Sequence, residues 1–336
     1  MFKPRYTLTT VLLKNINEIE RLYGQLEVLH IPHQLLLNLE RDNLVKSSYA
    51  SNKIEGNPLT HAEVTNLLLD DRLPVNRDEK EVTNYFNILK TLGNYTKRDI
   101  DTSLILTIHN ELLNGVKDNI KGKIRNEDVG VGSYDELGKL NIKHLPPFHN
   151  SKEIEENLKE LNEWINRTED IPLIKIGIYH HQFVYIHPFE DGNGRVCRLI
   201  TALIFLKNNY LINKYFVLDD YYDIDKNEYS DKLHSADSGD KTEWLEYFTE
   251  GVKYSLQSSL SKVQSGLNKI SFNFRPTTKE KEALDIAQRY KELTSSNLVD
   301  ELGITRQQAF NLLKSLTEKG YLEKFGSTKN SYYILK

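Results

Sequence analysis

Residues 171–208 read IPLIKIGIYHHQFVYIHPFEDGNGRVCRLITALIFLKN, two apolar stretches joined by a short polar loop. In the first, Leu173, Ile174, Gly177, Phe183, Val184 and Ile186 leave little polar surface, and Asp170 with Pro172 supplies a start signal. The spacing predicts a central helix capped by Asp170. Pro188 disfavours helical backbone at His187, so that helix ends beside the histidine and the chain enters a tight loop over residues 188–194. Gly192 and Gly194 flank Asn193, and backbone free to adopt positive φ can turn successive N–H groups inward as an anion-binding nest. The following helix adds its positive N-terminal end. Arg195 and Arg198 lie three residues apart on one face of its first turn, where two fixed cations clamp successive phosphates. Asp191 offers a hard oxygen ligand for Mg²⁺, and His187 a base that works near neutral pH. The pattern suits polyphosphate chemistry.

Outward from this stretch, the 336 residues are 39% hydrophobic and 27% charged, with 17 Gly and 9 Pro, which excludes fibrous, low-complexity and disordered readings. A net charge of −4 gives no global field toward nucleic acid or anionic lipid. A single cysteine, Cys197, excludes a disulfide framework and a Cys-rich zinc site. No secretory leader pattern and no 18-residue apolar stretch are present, so the expectation is a cytoplasmic protein with no membrane partner. Three- and four-residue apolar spacing dominates to about residue 275, as in Leu104, Ile105, Ile108, Leu112 and Leu113. Between Lys123 and Pro147 short runs surround a glycine-containing turn, the mark of a hairpin or an irregular loop. GVGSYD, 130–135, lacks the third glycine of a dinucleotide fingerprint and is read as loop. His180 and His181 receive no catalytic role, and Cys197 is read as a small buried hydrophobe.

HPFEDGNGRVCR, 187–198, resembles the Fic family signature HPFx(D/E)GNGRxxR without departure at its fixed positions. The resemblance implies a mainly α fold, a Fic helical core that transfers AMP from ATP to a Tyr, Ser or Thr hydroxyl of a target protein. It implies His187 as base, Asp191 as the Mg²⁺ ligand, and Asn193, Arg195, Arg198 and the backbone of Gly192 and Gly194 as phosphate contacts. KIRNEDVGVG followed by HLPPF, within 123–147, is similar to the family's β-hairpin flap, which docks the target by strand pairing. DKNEYSDKL, 225–233, and EWLEYF, 243–248, resemble the trailing helices, within 210–272, that line the adenine side, with Asp225 and Tyr229 as candidate contacts.

KSSYASNKIEGNPLTHAEV, from residue 46, matches the family's inhibitory pattern (S/T)xxxE(G/N) at Ser51, Glu55 and Gly56. A helix over about 44–56 would carry Glu55 in its last turn, where a negative charge opposes the macrodipole and calls for a cation. Arg198 is the candidate. By resemblance, Glu55 pairs with Arg198 and blocks the γ-phosphate position until the helix moves.

SFNFRPTT, 271–278, breaks the helical pattern, and a compact unit follows. Thr277 with Glu280 and Thr305 with Gln308 read as capping boxes, a short helix spans about 296–302, and YLEKF and SYYIL flank GSTKN as a hairpin. That order resembles a winged helix-turn-helix. It holds ten Lys and Arg against eight Asp and Glu, and offers Arg306, Gln307, Asn311 and Lys314 on its third helix, with Lys329 in the wing. The expected organisation is an N-terminal helical region over 1–100, a Fic core over 101–272 and a winged helix over 276–336 that binds DNA or a protein. Family members often form dimers, and the resemblance extends to a homodimer. Two other readings stay open at this point: removal of AMP by the same site, and a transcriptional regulator whose core senses nucleotide while the winged helix binds DNA.

Overall fold

A computed structural model of the chain describes residues 2–70, 72–134, 140–274, 276–326 and 331–335. They form two compact units, Met1–Val263 and Gln264–Lys336. The first holds α1 (Thr10–Val28), α2 (His33–Ile54), α3 (His61–Leu69), α4 (Arg77–Thr91), α5 (Thr102–Leu112), the strands β1 (Val131–Tyr134) and β2 (Leu140–His144), α6 (Ser151–Arg167), α7 (Pro172–Ile186), α8 (Asn193–Lys207), α9 (Asp219–Ile224), α10 (Lys226–Ser235) and most of α11 (Thr242–Phe274). The fold is mainly α, with one antiparallel hairpin in this unit that pairs Gly132 with Ile142 and Ser133 with Asn141. Residues 131–134 are therefore strand where the glycine pattern suggested loop. The hairpin's tip, 135–139, lies outside the described residues.

Helix α7 is the axis of the unit, packed against α6 on one side and α8 on another. Its apolar residues Leu173, Ile174, Ile178, Phe183 and Ile186 are buried, and the indole of Trp244 donates to the Gly177 carbonyl at 2.7 Å. Burial on all sides explains why its sequence shows no polar face. Its N-cap is Ile171, with Pro172 at the first position and no side-chain cap. Asp170 does not cap the helix as the sequence suggested; its carboxylate accepts from Thr168 and Tyr6 instead. Helix α2 starts at His33, well before the expected 44–56, and buries Leu39, Val45, Ala50 and Ile54. It packs on α4 and α9.

The second unit holds α12 (Thr278–Arg289), α13 (Ser295–Leu302), α14 (Arg306–Glu318), β3 (Leu322–Phe325) and β4 (Tyr332–Leu335). Capping boxes open all three helices, at Thr277 with Glu280, Thr294 with Asn297 and Thr305 with Gln308. Its core gathers Ala283, Ile286, Leu293, Leu298, Ala309, Leu313, Leu316, Leu322 and Tyr333. Phe310, in the apolar run of α14, is 49% exposed. Arg275 within the expected linker, and Lys329 with the rest of 327–330, lie outside the described residues.

Candidate functional site

The loop between α7 and α8 owes its shape to a few buried contacts. His187 sits just past α7 with φ 51°, a left-handed conformation rare outside glycine that turns the imidazole away from the helix. The buried Arg125 donates through Nε to the His187 carbonyl at 2.7 Å and through Nη2 to that of Ile186 at 3.4 Å, placing a cation on the negative end of α7. The Asn193 side chain spans the loop: Oδ1 accepts from Phe189 N at 2.9 Å and Nδ2 donates to Phe189 O at 2.7 Å. That amide, expected at a phosphate, is committed to the loop itself. Beneath it the His109 ring stacks on Phe189 at 3.7 Å, accepts a hydrogen bond at Nδ1 from Gly122 N and donates through Nε2 to Asp191 O.

Gly192 begins α8 with φ 83°, accessible to glycine at no cost, and no side chain caps the helix, which leaves the first-turn N–H groups for a ligand. Gly194 is helical, so its need is space: a Cβ there would strike Glu55 Oε1 and stand 3.0 Å from Arg198 Nη1. Arg195, 3% exposed, faces Glu81 at 3.2 Å and Asp191 at 3.4 Å, and its Nε has no hydrogen-bond partner among the described residues. Asp191 accepts from Gly192 N at 2.6 Å and meets Lys117 at 2.5 Å. Burial alone would raise the Asp191 carboxyl, but Lys117 and Arg195 outweigh it and hold it below the usual carboxylate range.

Arg198 is almost fully buried. It donates through Nε to Ser51 Oγ at 2.7 Å and through Nη2 to Ser51 O at 2.9 Å and to Glu55 Oε1 at 2.8 Å, and Asp219 lies 3.5 Å from Nε. Glu55 is the C-cap of α2 rather than part of its last turn, and the chain reverses at Gly56 with φ 91°. Its side chain keeps 30% of its surface open, yet that surface faces a recess rather than bulk solvent. Desolvation would raise the Glu55 carboxyl, but Arg198 and then Arg195 hold it below its ordinary range. Asp219 goes the other way: burial lifts it to about 6 despite Arg198.

A cavity of about 310 Å³ collects these groups. Glu55, Gly194, Arg198 and His187 line one side, and Val131, Gly132 and Lys143 of the hairpin another, while Tyr229, Ser230, Leu233 and His234 of α10 line a third. The His187 Nδ1–H donates to Val184 O at 3.3 Å, which leaves Nε2 as the basic nitrogen. Burial pushes the imidazole down to about 4, and nearby His144 and Arg125 add to the effect against the Val184 carbonyl and Glu55. The ring is thus a neutral base at physiological pH. Tyr229 reaches the cavity with its hydroxyl held by His180 Nε2 at 2.9 Å. Asp225 instead caps α10, accepting from Asn227 N and Glu228 N, both at 2.9 Å.

The fold brings His187, Glu55, Gly194, Arg198 and Tyr229 to one cavity and Ser51 onto Arg198, while Asp191 and Arg195 meet each other beside Lys117 and Glu81 and are not among that cavity's lining residues. Sequence reasoning missed Lys117, Glu81, Asp219, Arg125 and His109, whose parts depend on partners far along the chain. No local spacing marks them.

A model of the family described as Fic/DOC matches residues 99–205. The protein adenylyltransferase fic-1 of Caenorhabditis briggsae is 25% identical over 260 residues, covering 73% of this chain and 46% of its own length. Protein adenylyltransferase Fic of Aedes aegypti is 27% identical over 238 residues, covering 66% and 42%. The chain spans less than half the length of these curated relatives. Among solved structures, a Fic family protein from Desulfovibrio desulfuricans G20 aligns with 100% of this chain and 98% of its own at a TM-score of 0.68 and 26% identity. Fic-1 from C. elegans aligns with 76% of this chain and 74% of its own at a TM-score of 0.61 and 23% identity, a likeness of fold. With the signature loop, the hairpin and the helical core all in place, the chain carries a Fic domain and is a homologue of the Fic protein adenylyltransferases.

Proposed function

We propose that the chain transfers AMP from ATP to a hydroxyl side chain of a target protein and is restrained by Glu55. The observation that carries the proposal is the single cavity faced at once by the neutral His187, Gly194 at the start of α8 and Arg198. In this reading the target hydroxyl attacks the α-phosphorus, its proton passes to His187 Nε2, the bond from the α-phosphorus to the bridging oxygen breaks, and pyrophosphate leaves with that oxygen. Arg195, Arg198 and the uncapped amides of α8 neutralise the phosphates, and the Tyr229 wall meets the base. Strands β1 and β2 are the flap, whose free edge takes the target's segment by strand pairing.

A divalent metal fits Asp191 by donor chemistry, because the carboxylate is ionised and one-quarter exposed, and Mg²⁺ characteristically takes one or two carboxylates plus phosphate oxygens. Bound there, Mg²⁺ would neutralise charge on the leaving phosphates. Lys117 now stands on Oδ2 and would have to yield it.

Glu55 is the brake in this account. Its ion pair occupies the Arg198 guanidinium that a terminal phosphate would need, and its charge repels that phosphate. The test is transfer of label from α-labelled ATP to lysate proteins by wild type, Glu55→Gly and His187→Ala. Label that rises with Glu55→Gly and vanishes when His187→Ala is added supports the reading; AMP released from pre-labelled protein in its place would turn the assignment to removal of AMP.

The second unit supports another reading. As a winged helix, with α14 as its recognition helix, it exposes Arg306, Gln307, Asn311 and Lys314 on one element, and Arg, Gln and Asn read base edges. A gel-shift titration with and without ATP tests it: sequence-specific, nucleotide-dependent binding without label transfer would make the chain a regulator whose core senses nucleotide.

A further inference from the structure

At the base of the flap, beside the cavity that His187 faces, three imidazoles converge on one carboxylate. His144 Nδ1 lies 2.7 Å from Asp237 Oδ2, His234 Nδ1 lies 3.0 Å from the same oxygen, and His181 Nε2 lies 2.9 Å from Oδ1. The rings of His144 and His234 stack with centroids 4.9 Å apart and planes 16° apart, so both Nδ1 atoms face one point. The nearest donor atoms of His144, His234 and Asp237 all lie within 4.8 Å of one another. We propose that His144, His234 and Asp237 form a binding site for a divalent transition metal of the Zn²⁺ class.

The surroundings favour an ion over a purely hydrogen-bonded cluster. Ligating histidines characteristically donate their second N–H to a carbonyl or carboxylate, and ligating carboxylates are themselves hydrogen-bonded. His144 Nε2 faces Tyr185 O at 3.2 Å, which orients Nδ1 as a donor atom toward Asp237. Both nitrogens of that ring thus face oxygen atoms, Nδ1 that of a carboxylate and Nε2 that of a carbonyl. The other carboxylate oxygen is held by His181, whose Nδ1 in turn accepts from Lys241 Nζ at 2.9 Å.

A tetrahedral ion with bonds of about 2.0–2.1 Å needs donors about 3.3 Å apart, somewhat beyond the 2.7 and 3.0 Å that separate Asp237 Oδ2 from the two Nδ1 atoms. Two imidazoles and one carboxylate suit zinc and its neighbours, whereas Mg²⁺ and Ca²⁺ prefer oxygen alone. His234 also lines the cavity that His187 faces. His144 belongs to β2 and His234 to α10, and the Lys143–Asp231 ion pair at 3.0 Å already joins the same two elements. A metal here would fasten the flap to the cavity wall.

The experiment uses the full chain, stripped with chelator and titrated with Co²⁺ and then Zn²⁺ under excess Mg²⁺. One equivalent of Co²⁺ should give a visible d–d band that Zn²⁺ displaces, and backbone hydrogen exchange at 140–144 should slow on Zn²⁺ binding. The band should persist in His187→Ala and Asp191→Ala, which separates this site from the catalytic one and from the fate of the transferase reading. His181→Ala should weaken binding about 10–100-fold through lost orientation of Asp237. The double variant His144→Ala/His234→Ala should lose the band with its far-UV circular dichroism intact; if it does not fold, His234→Ala alone serves. Wild-type protein that takes up no Co²⁺ or Zn²⁺ at micromolar concentration, or His234→Ala that binds as wild type does, overturns the site.

Discussion

Arg198 and Glu55, 143 residues apart in sequence, meet at 2.8 Å in the same cavity that His187 faces. The arginine is almost wholly buried and also donates through Nε and Nη2 to Ser51, while both it and the carboxylate line the cavity. Removing the carboxylate, as Glu55→Gly, should raise AMP transfer at least about tenfold, the kinetic equivalent of about 1.4 kcal/mol. Initial rates with labelled ATP check this, and unchanged rates would remove Glu55 as the restraint.

Gly194 allows a structural test of the same contact that needs no activity. A Cβ at 194 collides with Glu55 Oε1, so Gly194→Ala should lower the thermal midpoint in wild type and lower it less in the Glu55→Gly background. Non-additivity between neighbours is the expected signature. Equal losses in both backgrounds would place the strain elsewhere.

Protonation of His187 should limit transfer only at low pH. Because its folded-state value is about 4 against an ordinary 6.5, the acid limb of kcat/KM should fall near 4. The stability consequence has a definite sign. His109, His181 and His187 are all pushed to about 4, and His180 well below 6.5, each chiefly by burial. The unfolded chain therefore binds more protons as pH drops below 6.5, and the stability present above that value should be lost progressively toward pH 4. Denaturant midpoints between pH 4 and 7 check the slope.

Lys117 competes for the carboxylate assigned to Mg²⁺. Lys117→Ala should lower the Mg²⁺ concentration that gives half-maximal transfer, since the ammonium at 2.5 Å no longer has to be displaced. A half-saturation point that stays or rises would mean that Lys117 aids rather than opposes the metal.

Asn193→Ala should be destabilising as well as inactivating. The substitution strips Phe189 of partners for both its N–H and its carbonyl, and each unsatisfied buried group costs about 1–3 kcal/mol. A variant with an unchanged melting temperature would return Asn193 to the role of a phosphate ligand.

Much of this was legible in the amino-acid sequence because it is local. The end of α7 at His187, the glycine turn into α8 and the capping boxes at Thr277 and Thr305 each rest on residues within four positions of one another. The hairpin announces itself by its composition within 123–147, although over Val131–Tyr134 the glycine pattern reads as loop because it masks the alternation. Asp170 misled because a side chain with cap chemistry found better partners in Thr168 and Tyr6. Asp219 on Arg198, Glu81 on Arg195 and the arrival of His144 at His234 and Asp237 are invisible in sequence, since tertiary packing makes each of them.

The placement of Glu55 at the outermost residue of α2 bears on how such a restraint is undone. Leu39, Val45, Ala50 and Ile54 root that helix in the interior beside α4 and α9, and withdrawing it would forfeit about 1.5–3 kcal/mol for each large apolar side chain uncovered. Turning one glutamate about its own torsions uncovers none of them. In the proposed reading the restraint is a latch on a fixed doorpost, and releasing it leaves the wall of the building where it stood.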